Sequence, residues 1–252
     1  MIDLKGQRAL ITGGTRGIGR AIALALAHHG AELALNYLRN RAAAQEAVDL
    51  IRKETGKKPL LLKCNVGKVE DVEEMFKTLR ESWDGLDILV SNAASGVLKP
   101  AMEMTKHHWD WTMDINAASL LWLAQRAVPM MEGRKGKIVA TSSLGSMRAF
   151  EYYAAVGSSK GALESLMRHL SIELAPRGIR CNVVNAGVVE TEALDHFPNR
   201  EEMLSKSLRN TPYGRLVTPE DVAKVTVFLV SDYAEMVHGH TLIVDGGFSI
   251  KV

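Results

Sequence analysis

The chemistry of this chain gathers around a phenol, an ammonium and a hydroxyl. Tyr153 and Lys160 stand seven residues apart in Glu151-Tyr152-Tyr153-Ala154-Ala155-Val156-Gly157-Ser158-Ser159-Lys160, with Ser143 upstream. On a helix, residues seven apart lie almost on one face, two turns from each other. Tyr153 then shares a cleft with Lys160, whereas Tyr152 points roughly 80° further round. A phenol hydroxyl can donate a hydrogen bond to an oxygen that gains negative charge, a stabilisation realised mainly in the transition state. A neighbouring ammonium favours a lower phenol pKa.

A second group of residues reads as a phosphate cradle. Thr12-Gly13-Gly14-Thr15-Arg16-Gly17-Ile18-Gly19 follows an apolar strand and opens a helix. Glycines let the backbone turn sharply and approach a pyrophosphate, and the free N–H groups of the helix start favour an anion. That context separates the motif from a mere glycine-rich turn. The expected contacts here are Gly13, Thr15, Arg16, Gly17, Ile18 and Gly19. The second strand ends Leu35-Asn36-Tyr37-Leu38-Arg39-Asn40-Arg41 and lacks the acidic residue that would bond an unmodified ribose. Arg16, Arg39 and Arg41 instead cluster where a 2′-phosphate would lie, and arginine forks match phosphate geometry. The expected cofactor is NADPH rather than NADH. The plainer reading is that Arg39 and Arg41 solvate a helix start.

Positioning these groups requires a particular scaffold. Short apolar runs at Ala9–Thr12, Leu33–Tyr37, Leu60–Lys63, Ile88–Ser91, Lys137–Thr141, Arg180–Val184 and Thr241–Val244 alternate with segments of helical spacing. The latter include Ile22-Leu26, Val72-Met75-Phe76-Leu79 and Leu163-Leu166-Leu170-Leu174. Uninterrupted apolar strands separated by helices predict a parallel sheet covered on both faces. With right-handed crossovers this is a single-domain, doubly wound α/β (Rossmann) sheet of about seven strands over residues 1–252. Glu190 to Tyr213 stands apart, with Phe197-Pro198-Asn199 and Thr211-Pro212 bracketing a helix, and is placed to act as a lid.

Composition excludes several functions. The 252 residues are 46% apolar with a net charge of +2 and no long basic run, which argues against nucleic acid or an anionic membrane as main partner. Two cysteines, Cys64 and Cys181, make neither a disulfide framework nor a C-x-x-C metal pair. No ligand spacing occurs among the eight histidines, so no metal is expected. With no spanning stretch and no signal-peptide pattern, the chain is expected in the reducing cytoplasm.

Almost the whole chain resembles the short-chain dehydrogenase/reductase family. The resemblance rests on Thr12–Gly19, Ser91-Asn92-Ala93-Ala94, Asn116, Ser142-Ser143, the Tyr/Lys pair, Asn185-Ala186-Gly187 and Val244-Asp245-Gly246-Gly247. Within that family, Asn92–Leu98, His108-Trp109-Asp110-Trp111-Thr112 and His196–Arg200 resemble the type III, NADPH-dependent enoyl-[acyl-carrier-protein] reductases. The resemblance implies a homotetramer acting on acyl-carrier-protein or CoA thioesters. It also implies that Lys160 binds the nicotinamide-ribose hydroxyls, and that Asn65 and Val66 meet the adenine. Asn92, Gly187 and Val189 complete the cofactor contacts. Ser143 falls at the family's catalytic serine; it either supports the tyrosine or caps backbone at a strand end. Asn116 falls at the helix-kinking asparagine, holding a water or a carbonyl, or else is a plain helix asparagine. Asn-Ala-Ala and Asn-Ala-Gly depart from the usual Asn-Ala-Gly and Pro-Gly, so the turn after the sixth strand lacks proline's stiffness.

The family usually carries Tyr-x-x-x-Lys, and here Val156 stands four before Lys160. In a ketone the hydride-accepting carbon bears the oxygen. In an enoyl thioester hydride goes to the β-carbon, and charge builds on an oxygen two carbons away. A tyrosine set back by a turn suits the second case. A ketone reductase using Tyr152 or Tyr153, and a non-catalytic NADPH sensor, are the rival readings. Among other residues, Trp109 and Trp111 are expected in packing or a subunit interface rather than an acyl channel. Phe197, Met203 and Leu204 line an acyl pocket or dock the lid. Arg200, Lys206 and Arg209 meet an acidic carrier or are simply solvated.

Overall fold

The computed structural model describes residues 2–191 and 200–251. Seven strands form one parallel sheet: β1 (Arg8–Ile11), β2 (Glu32–Tyr37), β3 (Leu60–Lys63), β4 (Ile88–Ser91), β5 (Lys137–Ser143), β6 (Arg180–Ala186) and β7 (Thr241–Val244), in the order β3-β2-β1-β4-β5-β6-β7. The order reverses between β1 and β4. At such a switch point the loops beyond the two strands diverge and leave a crevice at the strands' carboxyl ends.

Period-two alternation explains why both faces are covered. Along β1, Ala9 and Ile11 join one buried cluster and Leu10 the other. The first face packs α1 (Gly17–His28), α2 (Arg41–Thr55) and α8 (Pro219–Val230), through Ile22, Leu26, Ile51 and Val227. The opposite face packs α3 (Val69–Ser82), α5 (Ser119–Met130) and α6 (Ala154–Leu174), through Phe76, Leu79, Leu123, Leu163 and Met167. Fully burying side chains of this size contributes about 1.5–3 kcal/mol each. The strands and helical faces expected from the sequence are all present; β5 and β6 run two residues further than expected, to Ser143 and Ala186.

Two local devices bear on the site. α4 (Lys106–Met113) starts at a capping box in which Thr105 and His108 bond each other's backbone, worth about 1 kcal/mol. It runs into α5 through a π-turn, Asp114–Ala118, centred on Asn116. The helix expected between Phe197-Pro198-Asn199 and Thr211-Pro212 is α7 (Arg200–Asn210). His196, Phe197, Pro198 and Asn199 lie outside the described residues, so Phe197 has no place here. Among the described residues, no helix is long and apolar enough to cross a membrane.

Candidate active site

At the nucleotide end the backbone is held by polar side chains, Thr12 and Asn36 buried and Asn92 half-buried. The Thr12 hydroxyl accepts from the N–H groups of Asn92 and Ala93 at 2.9 and 3.0 Å. The Asn92 amide donates to the carbonyls of Thr12 and Gly13 at 3.0 and 3.2 Å. Asn36 Oδ1 accepts from Gly13 N–H at 3.2 Å, while Nδ2 donates to the Leu62 and Cys64 carbonyls. Glycine loop, β2 end and β3 end are thereby tied together. Gly19 must lack a side chain: a Cβ there would stand 2.2 Å from the Gly13 carbonyl oxygen and 2.5 Å from Asn92 Nδ2. The N–H groups at the start of α1 and this side-chain-free surface fit a pyrophosphate.

Arg16, the residue before α1, and Arg39 and Arg41, beyond β2, are exposed past the carboxyl ends of the adjacent strands β1 and β2, with Thr15 buried and Ile18 half-buried. Asn65 lies in the turn beyond β3. Its side-chain oxygen already accepts from Gly67 N–H at 3.1 Å, closing a turn that places the buried Val66. Gly187 N–H bonds the Val244 carbonyl at 2.9 Å, and Val189 bridges to Val217.

At the reducing end Tyr153 is not on the helix. It is the N-cap residue of α6, with Tyr152 before it in a left-handed conformation (φ 61°) and 43% exposed. The helical-face argument for Tyr153 over Tyr152 therefore does not apply, because neither residue is on α6. What selects Tyr153 is packing: its ring lies over Gly145, whose Cβ would stand 2.4 Å from Cε1, with Phe150 edge-on at 6.0 Å between ring centroids. The phenol oxygen is 3.3 Å from the Ser143 hydroxyl. So Ser143 takes the supporting role, and the strand's end supplies it.

Lys160, buried on α6, donates from Nζ to the Thr141 carbonyl at 2.8 Å. Burial pulls its pKa down to about 8, opposed by the Glu164 carboxylate. The expected lowering of the phenol is overturned: burial pushes Tyr153 up, and the Ser143 hydrogen bond opposes without reversing it. The phenol stays protonated and remains a donor. Val156 is buried with its side chain against Gly96, where a Cβ would be 2.3 Å away. The position one turn before Lys160 is thus apolar and filled.

Asn116 holds a carbonyl rather than acting as a plain helix residue. It exchanges two 2.8 Å hydrogen bonds with the Ser95 backbone and donates to Ser159 Oγ at 2.9 Å, which the π-turn permits. Asn185 ties the turn after β6 to its surroundings: its amide nitrogen stands 2.9–3.0 Å from the Ser143 carbonyl, Ser146 Oγ and Glu164 Oε1, its two hydrogens shared among the three acceptors. Sequence reasoning passed over Thr12, Asn36, Gly145 and Glu164. The one available signal was a polar Asn36 inside an apolar strand. Of the other expectations, Trp111 packs on the core, Trp109 is 41% exposed, and Met203 and Leu204 on α7 are half-buried.

The model of the family described as enoyl-(acyl carrier protein) reductase matches residues 13–249. The 1-cyclohexenylcarbonyl-CoA reductase of Streptomyces collinus is 38% identical, over 97% of this chain and 87% of that one. The NADH-dependent enoyl-[acyl-carrier-protein] reductase of Aquifex aeolicus is 34% identical over 98% of this chain and 93% of that one. Its crystal structure superimposes with a TM-score of 0.89, covering 98% of each chain. A putative short-chain alcohol dehydrogenase from Sinorhizobium meliloti superimposes with a TM-score of 0.93 at 34% identity, covering 99% of each.

Proposed function

The chain belongs to the enoyl-(acyl carrier protein) reductase family of short-chain dehydrogenases/reductases, and from that premise we propose that it reduces the carbon–carbon double bond of trans-2-enoyl thioesters with NADPH, in fatty-acid synthesis. The observation that carries this reading is Val156 filling the place one turn before Lys160, while the Tyr153 hydroxyl sits further back against Ser143. The glycine cradle and α1 hold the pyrophosphate, Lys160 the nicotinamide ribose. Arg16, Arg39 and Arg41 favour a 2′-phosphate. The nicotinamide, when bound, supplies hydride to the substrate's β-carbon.

The residues then act on the other end of the conjugated system. The Tyr153 hydroxyl donates to the thioester oxygen, where charge develops. Ser143 orients that hydroxyl. The Lys160 ammonium adds positive charge at neutral pH, below the value of about 8 at which it titrates. Val156 and Gly96 give the carbon chain an apolar wall. The same Ser143–Tyr153 contact also suits a ketone reductase, the second reading.

NADPH and NADH oxidation with crotonyl and acetoacetyl thioesters, side by side, separates the two. Turnover of the crotonyl thioester, faster with NADPH, is expected. Turnover of the acetoacetyl thioester alone makes the chain a ketone reductase. We further propose a cytoplasmic homotetramer acting on acyl-carrier-protein or CoA thioesters. Exposed Trp109 on α4 and Ile172 on α6 are apolar side chains that a second subunit would cover. Lys206 and Arg209 on α7 face solvent, where an acidic carrier would meet them. Light scattering should give four times the 27.6 kDa chain mass.

A further inference from the structure

Glu164 takes no part in the reaction described above, yet it is tightly held beside it. It stands one helical turn beyond Lys160 on α6. Its Oε1 accepts from the Ser142 hydroxyl at 2.6 Å and the Asn185 amide at 2.9 Å, and Oε2 from the Thr241 hydroxyl at 3.5 Å. Those donors come from β5, β6 and β7. The helix therefore plugs a carboxylate into three adjacent strands just where it presents Lys160. Asn185, wholly buried, extends the chain of hydrogen bonds to the Ser143 carbonyl at 3.0 Å. We propose that Glu164 is a positioning residue for Lys160: its carboxyl group, clamped to β5, β6 and β7 one helical turn beyond the lysine, sets α6 in register against those strands and is held beside the lysine. This rests on the reading of Lys160 as the ammonium that binds the cofactor.

Among the described residues, the surroundings leave Glu164 as the charge that answers Lys160. Burial disfavours the ammonium, and the Glu164 carboxylate opposes that effect. Beside Lys160, β5 offers Thr141, Ser142 and Ser143, and β6 offers Asn182 and Asn185, all uncharged. Lys137 and Arg180 begin those strands, at the far end of the sheet. Burial pushes the Cys181 thiol up to about 12 and also raises Tyr153, so both stay neutral. The short 3-10 turn Leu144–Ser146 carries no charge. On α4, Lys106 pairs with Asp110, and His107 is exposed while His108 caps the helix start. Asp114, on the π-turn, is exposed, and Arg177 follows the far end of α6, paired with Glu132.

The test is NADPH affinity against pH for the wild type, Glu164→Gln and Glu164→Asp, read by nucleotide fluorescence. Affinity falls as pH rises through the Lys160 titration, because the ammonium is the binding form. Glu164→Gln should move that midpoint down by about one pH unit, with far less change on the acid side. Glu164→Asp, which keeps the charge, should return it towards the wild-type value. An unmoved midpoint in folded Glu164→Gln, or an equal displacement in Glu164→Asp, overturns the proposal. Should Glu164→Gln not fold, the 15Nζ shift of Lys160 in the unaltered protein decides, assigned by its loss in Lys160→Arg. An ammonium at ~pH 7 supports the role and a neutral amine overturns it. Binding is measured without thioester, so a failed crotonyl assay beside a displaced midpoint removes the substrate reading and leaves this one standing.

Discussion

The two ends of the cleft are built by different means. At the nucleotide end, buried Thr12 and Asn36 and half-buried Asn92 lash backbone to backbone, and Gly19 presses on a carbonyl. At the reducing end, side chains rest on side-chain-free spots: Tyr153 over Gly145 and Val156 against Gly96. Backbone cannot yield without moving a strand, so the first end tolerates one ligand shape, the diphosphate. Side chains can be exchanged one at a time, so the second end can take up different carbonyl chemistry on the same scaffold.

That contrast is broken most sharply by Gly19→Ala. The added methyl meets a carbonyl oxygen at 2.2 Å, so the loop must shift. Destabilisation by about 3 kcal/mol is expected, with NADPH affinity down by about a hundredfold, as misplacement by about 1 Å can cost. Urea unfolding and fluorescence titration measure both. Near-normal binding would mean that the loop is as adaptable as a side chain, and the contrast would fail. Tyr153→Phe should do the opposite. It removes one hydroxyl from a packed ring, so kcat falls by about 10²–10³-fold while cofactor affinity and Tm hold. Tyr152→Phe, at an exposed position, should leave kcat unchanged.

How much of this could be read from the residues follows the same divide. Strand positions and the glycine cradle were legible because they obey local rules: apolar runs for buried parallel strands, and glycines where a strand feeds a helix. The types at the reducing end were legible too, yet their placement was not. Tyr153 was assigned to a helical face, and it is an N-cap residue whose position comes from Gly145 and Phe150. No periodicity encodes a ring lying across a distant glycine. The direction of the phenol pKa failed for a similar reason: burial is a property of the packed site, and it outweighs the lowering effect of the Ser143 hydrogen bond. Asn36 and Asn185 act through hydrogen bonds between strands, which a single chain's pattern does not reveal.

Gly145→Ala sharpens the account of the reducing end. The methyl would displace the Tyr153 ring, 2.4 Å away at Cε1, and the clash is with a side chain rather than with a strand's backbone. Stability should change little, while kcat falls by about tenfold to a hundredfold with NADPH affinity intact. If affinity falls as far as kcat, the two ends are coupled and the division drawn above is too clean.

The smallest effect concerns stability, and its sign is the point. Lys160 titrates at about 8 in the folded chain, against an ordinary value of 10.5. Folding therefore disfavours its charged form, at a cost of about 3 kcal/mol below that pH. The cost shrinks as pH rises from about 8 towards 10.5 and vanishes above it, where the amine is neutral in both states. Lys160→Met removes the cost but leaves the Thr141 carbonyl without its donor, a loss of about 1–3 kcal/mol. The remainder is a modest gain: Tm of the cofactor-free protein should rise by roughly 2–4 °C at neutral pH, and the gain should turn into a loss by ~pH 10.5, where only the missing hydrogen bond is left, while turnover is lost. Parallel thermal melts at the two pH values check it. A variant less stable than the parent at neutral pH would show that the lysine's hydrogen bond outweighs its burial, and that the reducing end, like the nucleotide end, is built for stability first.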